Sequence, residues 1–281
     1  MTEPVTAQQV DPTIAERYWR DGFCFPLPGL STAEAVSIRA RMEAHEAECG
    51  GPLEDAKRHQ AHLLFTWADD LARHPAILDA VEQIIGPDIL CWVTNFFIKE
   101  PGDGGFVSWH QDATYWGLEP ADSILTAWVA LSDVPLESGP MRFLAGSHKT
   151  GQQAHADTFD ADNLLSRGQE IAVEVDESRA TDVVLRAGEF SLHHVLLTHG
   201  SRPNVSDDRR LGFAIRYIPT SARQTKLRDA AVLVRGEDRY GHFDLLPGPR
   251  ADLDADAWAS HADSSARMKA AVYSGVEDRK P

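Results

Sequence analysis

Four consecutive residues, Trp109-His110-Gln111-Asp112, carry chemistry that the rest of the chain must complete. On an extended strand alternate side chains share a face, so His110 and Asp112 project together while Gln111 projects away. An imidazole and a carboxylate on one face are two corners of a metal's coordination shell. A second imidazole brought from elsewhere gives two His and one carboxylate with open positions opposite, the arrangement that suits a non-haem Fe(II) oxygenase. His-x-Asp alone is a common pattern, so the missing parts have to be found.

Twelve histidines compete for the second imidazole position. His193 and His194 lie inside an apolar run at 190–197, and His199 follows just before Gly200. Strand ends line the mouth of a jelly roll, which favours His199. The ordinary reading of His193 and His194 is one ring packed inside and hydrogen-bonded, the other facing outward. His148 reads as a turn or strand-end hydrogen-bonder, and His45, His59, His74, His155 and His261 stand in polar or helical contexts. If the strands on either side of the turn after His199 form a hairpin, Arg210 returns to the level of His199. Arg210, Gly212, Ala214 and Arg216 then share a face. Small residues between two Arg suit a cavity in which a guanidinium grips a carboxylate with two parallel bonds. The plainer alternative makes Arg209 and Arg210 solvated charges answering Asp207 and Asp208.

The elements that position these residues change character along the chain. Up to about residue 88 the pattern is helical. One helix spans 11–20, with Asp11 as cap and Pro12 in its first turn. A second follows the Ser31-Thr-Ala-Glu34 capping box, and a third is opened by Pro75 and closed by Gly86-Pro87. Between the first two, 23–27 reads as an edge strand. From Ile89 the chain turns to β, with strands over 89–99, 107–112, 125–131, 141–144, 171–175, 183–185, 190–197 and 211–218. Helices followed by short strands predict an antiparallel double-sheet jelly roll with helices along one side. This is read as a single domain, 1–281, with a helical part over about 1–88, a jelly-roll core over about 89–219 and an extension over about 220–281. Residues 150–182 form a polar insertion suited to a lid, 230–234 adds a strand, and the alanine-rich tail from Asp252 is helical in part.

Composition removes several function classes. The 281 residues carry a formal net charge of -16, which argues against nucleic acid, although a local Arg cluster can still hold a small anion. Residues 1–10 lack the layout of a secretory signal, and no apolar stretch approaches bilayer-spanning length. Three separated cysteines without a Cys-x-x-Cys pair favour a reducing compartment and disfavour structural zinc. A cytoplasmic protein acting on a small molecule is expected, with no nucleic-acid or membrane partner and the oligomeric state open.

Five segments, in order, resemble the phytanoyl-CoA dioxygenase family. They are Trp109-His-Gln-Asp112, Trp128-Val-Ala-Leu-Ser-Asp133, Glu137-Ser-Gly-Pro-Met141, Ala145-Gly-Ser-His148, and His199-Gly-Ser-Arg-Pro-Asn204 with Arg210 after it. The resemblance runs from about Tyr18 to Tyr217. It implies a double-stranded β-helix, Fe(II), 2-oxoglutarate as cosubstrate and O2. It makes His110, Asp112 and His199 the iron ligands, and it places Arg210 and Ser201 on the far carboxylate of 2-oxoglutarate. Trp128 matches a pocket tryptophan, and Gln111 lies in the same segment. Where the family has a further basic contact, ahead of Ile89, Lys57 is the candidate. Because Asp112 is present, hydroxylation is implied and halogenation disfavoured. The implied activity is hydroxylation of a C–H bond with release of succinate and CO2. The substrate expected is a small polar or anionic metabolite (a natural-product intermediate, an osmolyte or a phosphonate-like compound), with Arg216, Arg235 and Arg239 as candidate contacts. Two rivals remain: a cupin-type metal-dependent hydrolase or isomerase, and a non-catalytic small-molecule-binding jelly roll.

Overall fold

Ile89–Lys99 and Arg210–Pro219 pair antiparallel from end to end and form the spine of a seven-stranded sheet. The computed structural model describes residues 13–158, 160, 162–165 and 168–273. Across the large sheet the order is Phe23–Pro28, Glu189–His194, Leu125–Ala130, Arg210–Pro219, Ile89–Lys99, Ala230–Arg235 and Asp244–Leu245. Every pairing in it is antiparallel except the last, which is parallel. A four-stranded antiparallel sheet runs Val107–His110, His199–Ser201, Met141–Leu144 and Ala180–Asp182. Trp128 and Ala214 of the large sheet share a buried cluster with Met141 and Phe143 of the small one, which closes the jelly roll. The fold is the antiparallel double-sheet architecture that the alternation of short strands predicts.

The two faces of the large sheet do different jobs. Phe96, Ile98, Val129, Leu192, Phe213 and Ile215 point to the helical side and share one core with Tyr18, Met42, Leu71 and Leu78. The alternate residues point into the barrel, and many are polar: Asn95, Lys99, Thr126, His193, Arg210 and Arg216 are all buried. Period-two alternation therefore separates stabilising residues from residues available for chemistry.

The helices start where the caps place them. Ser31 and Glu34 form a reciprocal capping box ahead of Thr32–Cys49, and Pro75 opens Pro75–Ile85. Asp11 and Pro12 lie outside the described residues; the first helix, Ile14–Asp21, is capped by Thr13 through a box with Glu16. The alanine-rich tail contains the helix Ala255–Val272. Among the described residues no helix is long and apolar enough to cross a membrane.

Four strands differ from expectation. The strand predicted over 107–112 stops at His110, and Asp112 opens the short 3-10 turn Asp112–Tyr115. The strand predicted over 190–197 stops at His194, where the chain turns (Leu197 N–H donates to His194 O at 2.9 Å) and crosses to the small sheet. His199–Ser201 and Arg210–Pro219 therefore lie in different sheets and form no hairpin. In the insertion, the strand predicted over 171–175 is instead Gln169–Ile171, which pairs with His155–Asp157, and Ala180–Asp182 forms in place of 183–185, with Leu185 making an isolated bridge to Val134.

Candidate active site

His110 and His199 are direct partners across adjacent antiparallel strands, so their rings share a face with centroids 4.1 Å apart. Gln111 keeps the backbone extended for one residue past the strand, at φ -119 and ψ 134, and Asp112 still projects toward His110. His110 Nε2 lies 3.6 Å from Asp112 Oδ1. One ligand atom from each of His110, Asp112 and His199 falls within 4.8 Å of the others.

The surrounding bonds present these atoms for coordination. His110 Nδ1 sits 2.9 Å from Ser108 O and His199 Nδ1 sits 2.9 Å from Leu197 O. A carbonyl only accepts, so both rings carry their proton on Nδ1 and turn the Nε2 lone pair inward. The second oxygen of Asp112 accepts from Thr126 Oγ1 at 3.0 Å and lies 3.6 Å from His193 Nε2. Burial by itself would raise the Asp112 pKa, but His110 and His193, with His199 and Arg216 behind them, hold it well below the usual carboxylate value. Burial, then the neighbouring His110, pushes His199 well below the usual imidazole value, so it stays neutral. Two imidazoles and one carboxylate, converging and buried, fit a divalent first-row metal such as Fe(II).

Beside the triad a narrow cavity is lined by Trp128, Ser201 and Arg210 as well as by the three ligands. Arg210 and Lys99 are cross-strand partners, so two basic side chains stand next to each other, 1% and 0% exposed. Lys99 Nζ donates to Ser201 Oγ at 2.7 Å and to Arg202 O. Arg210 Nη1 donates to Gly139 O at 2.5 Å, and among the described residues its buried Nε has no partner. Burial, then the adjacent Arg210, lowers the Lys99 pKa to about 6, and burial lowers that of Arg210 to about 10. A dry guanidinium beside an amine that an arriving anion would protonate forms a hole for an anion. Gly212 is small because Trp128 occupies the space over it: an added Cβ would lie 1.8 Å from Trp128 Cζ2.

A second, larger cavity of ≈ 300 Å³ opens on the other side of Asp112, bounded by Trp92, Asn95, Phe97, Trp116, Arg216 and the C-terminal helix residue Met268. Arg216 Nη1 donates to Asn95 Oδ1 at 2.7 Å. Asp112, Phe97 and Leu165 line both cavities.

The other predicted site residues stand elsewhere. Gln111 is wholly buried, and its amide bonds Gly151 O, Leu196 O and Gln153 N, which braces the insertion and leaves it outside the cavity lining. Arg235 pairs with Asp79 and Glu82 on the Pro75–Ile85 helix, and Arg239 pairs with Glu237 at the surface, so neither joins Arg216. Lys57 pairs with Glu54. His193 and His194 are both buried: His193 faces Asp112, and His194 is covered by Tyr18, Trp19 and His148 rather than facing solvent. Sequence reasoning missed Lys99, Asn95 and Thr126. Their signal is a polar residue at alternate positions of strands otherwise made of buried apolar residues.

Fold and site together define a jelly-roll protein built around two histidines and one carboxylate that could hold one metal ion. The sequence model of the phytanoyl-CoA dioxygenase (PhyH) family matches residues 18–212, and the chain belongs to that family. A solved structure described as a non-heme monooxygenase, ThoJ in its apo form, is 39% identical with a TM-score of 0.84, covering 95% of this chain and 100% of that one. The structure of CytC3 with Fe(II) and alpha-ketoglutarate is 25% identical with a TM-score of 0.63, covering 87% and 96%. Among curated proteins, a probable alpha-ketoglutarate-dependent hypophosphite dioxygenase of Stutzerimonas stutzeri is 32% identical over 57% of this chain and 56% of its own length. The chain spans about half the length of the first curated relatives it matches.

Proposed function

We propose that the chain is an Fe(II)/2-oxoglutarate-dependent dioxygenase that hydroxylates a C–H bond of a small polar or anionic metabolite and releases succinate and CO2. The observation that carries this reading is the convergence of His110, Asp112 and His199 within 4.8 Å beside a cavity that ends on Arg210. Iron(II) held there, with 2-oxoglutarate and O2, supplies the oxidising power to break an unactivated C–H bond. The protein's own contribution is placement and the exclusion of water. The Nδ1 bonds of the two imidazoles fix ring orientation, and Thr126 and His193 steady the carboxylate oxygen that faces away. Arg210, Ser201 and Lys99 hold the far carboxylate of the cosubstrate, and Trp128 walls its chain. The larger cavity across Asp112 is left for the substrate to be oxidised.

The test is succinate formation from 2-oxoglutarate under O2 with Fe(II) supplied. Activity should vanish in His110→Ala, Asp112→Ala and His199→Ala, and Arg210→Ala should raise the KM for 2-oxoglutarate. Turnover of a metabolite without 2-oxoglutarate, indifferent to Arg210→Ala, would instead favour a cupin-type hydrolase or isomerase.

A further inference from the structure

Arg216 is a buried cation without an ion-pair partner among the described residues. It is 7% exposed and, among those residues, makes one hydrogen bond, to Asn95. Among the described residues its buried Nε has no partner, and Nη1 is the nitrogen committed to Asn95, so the edge formed by Nε and Nη2 is unpaired. Asp112 is the nearby carboxylate that offsets it, and a metal ion would take up that charge. A guanidinium edge with two parallel N–H groups matches two coplanar oxygens. The rings of Phe97 and Trp116 each lie 5.6 Å from the guanidinium carbon, and Trp92 packs on Trp116 at 5.1 Å. The cavity they bound, ≈ 300 Å³, sits at the small end of the range for small-molecule sites, about 300–1,000 Å³.

We propose that this chamber selects a compact carboxylic acid with a flat apolar body, its carboxylate paired with the unpaired edge of Arg216 and its body against Trp116 and Phe97. The proposal rests on the reading of the neighbouring cavity as the metal and 2-oxoglutarate site. Cross-strand pairing supports the placement: His193, Thr126 and Arg216 form one row across three strands, and the first two touch the outer oxygen of Asp112. An acid anchored at Arg216 therefore lies alongside the metal centre. Arg210, six residues earlier on the same face, is kept for the cosubstrate, so two acids are sorted by two arginines on one strand.

Phenylacetate and phenylacetamide, equal in shape and differing in charge, test this on protein loaded with Mn(II) and 2-oxoglutarate, read by tryptophan fluorescence. Phenylacetate should bind about tenfold or more tightly than the amide, as a charge-assisted fork requires. Arg216→Met should equalise the pair and leave 2-oxoglutarate affinity unchanged, and Arg216→Lys, which keeps the charge without the fork, should retain part of the preference. Equal binding of acid and amide by the unaltered protein, or equal loss of phenylacetate and 2-oxoglutarate in Arg216→Met, overturns the proposal. Titration of 2-oxoglutarate into the Mn(II) protein separates the two readings. Failure there removes the cosubstrate assignment, whereas normal 2-oxoglutarate binding without acid preference removes only the assignment of Arg216.

Discussion

Replacing Lys99 by Met keeps the length and burial of the side chain and removes its nitrogen. Lys99 Nζ bonds Ser201 Oγ and Arg202 O and stands beside Arg210 with no salt-bridge partner of its own among the described residues. When the ammonium donates to Ser201, the hydroxyl hydrogen is free to point at an anion on Arg210. Hydrogen bonds to charged groups contribute about 1.5–3 kcal/mol, and about 1.4 kcal/mol is tenfold in affinity. Lys99→Met should therefore weaken 2-oxoglutarate binding by about 10- to 100-fold. Calorimetric titration of the Mn(II)-loaded protein measures this directly, with 2-oxobutyrate, which lacks the far carboxylate, as the control ligand. The 2-oxobutyrate affinity should stay unchanged. Unchanged 2-oxoglutarate affinity, or equal weakening of both acids, would refute the role given to Lys99.

The same lysine predicts a pH effect. Its pKa in the folded protein is lowered to about 6 by burial and Arg210, with Asp103 opposing, whereas an unfolded lysine titrates near about 10.4. Between these values the unfolded chain binds the extra proton, so this group makes stability rise with pH across that window, and Lys99→Met should flatten the rise. An arriving dianion favours the ammonium, so 2-oxoglutarate binding near neutral pH should take up a proton, seen as a buffer-dependent heat that is absent in Lys99→Met. Thr126→Val removes the donor to Asp112 Oδ2 and should lower metal affinity about tenfold, measured by competition with a chelator. Gly212→Ala places a methyl 1.8 Å from Trp128 Cζ2, and denaturant unfolding should register a loss of about 1–3 kcal/mol.

His110 and Asp112 were legible because they are close in sequence and the backbone stays extended between them. His199 was legible at a strand end, but the hairpin invoked to bring Arg210 near it does not exist. The chain changes sheets after His194, and local alternation carries no information about which sheet a strand joins. Arg210 reaches the site from the opposite wall of the barrel instead. Lys99 and Thr126 were missed because Ile89–Lys99 and Leu125–Ala130 are buried on both faces, where apolar-polar alternation fades. Arg235 and Arg239 read as donors in sequence, yet carboxylates on a helix and in their own loop hold them. Charge pattern alone cannot tell a ligand contact from an ion pair formed within the protein.

The central claim is that two histidines on one face of the small sheet and a carboxylate from the turn that follows His110 hold a single divalent ion. The most direct measurement is the number of Mn(II) ions bound per chain at equilibrium dialysis. One ion per chain is predicted for the unaltered protein, with binding lost in His110→Ala, Asp112→Ala and His199→Ala. Full stoichiometry and affinity retained in His199→Ala would contradict the account.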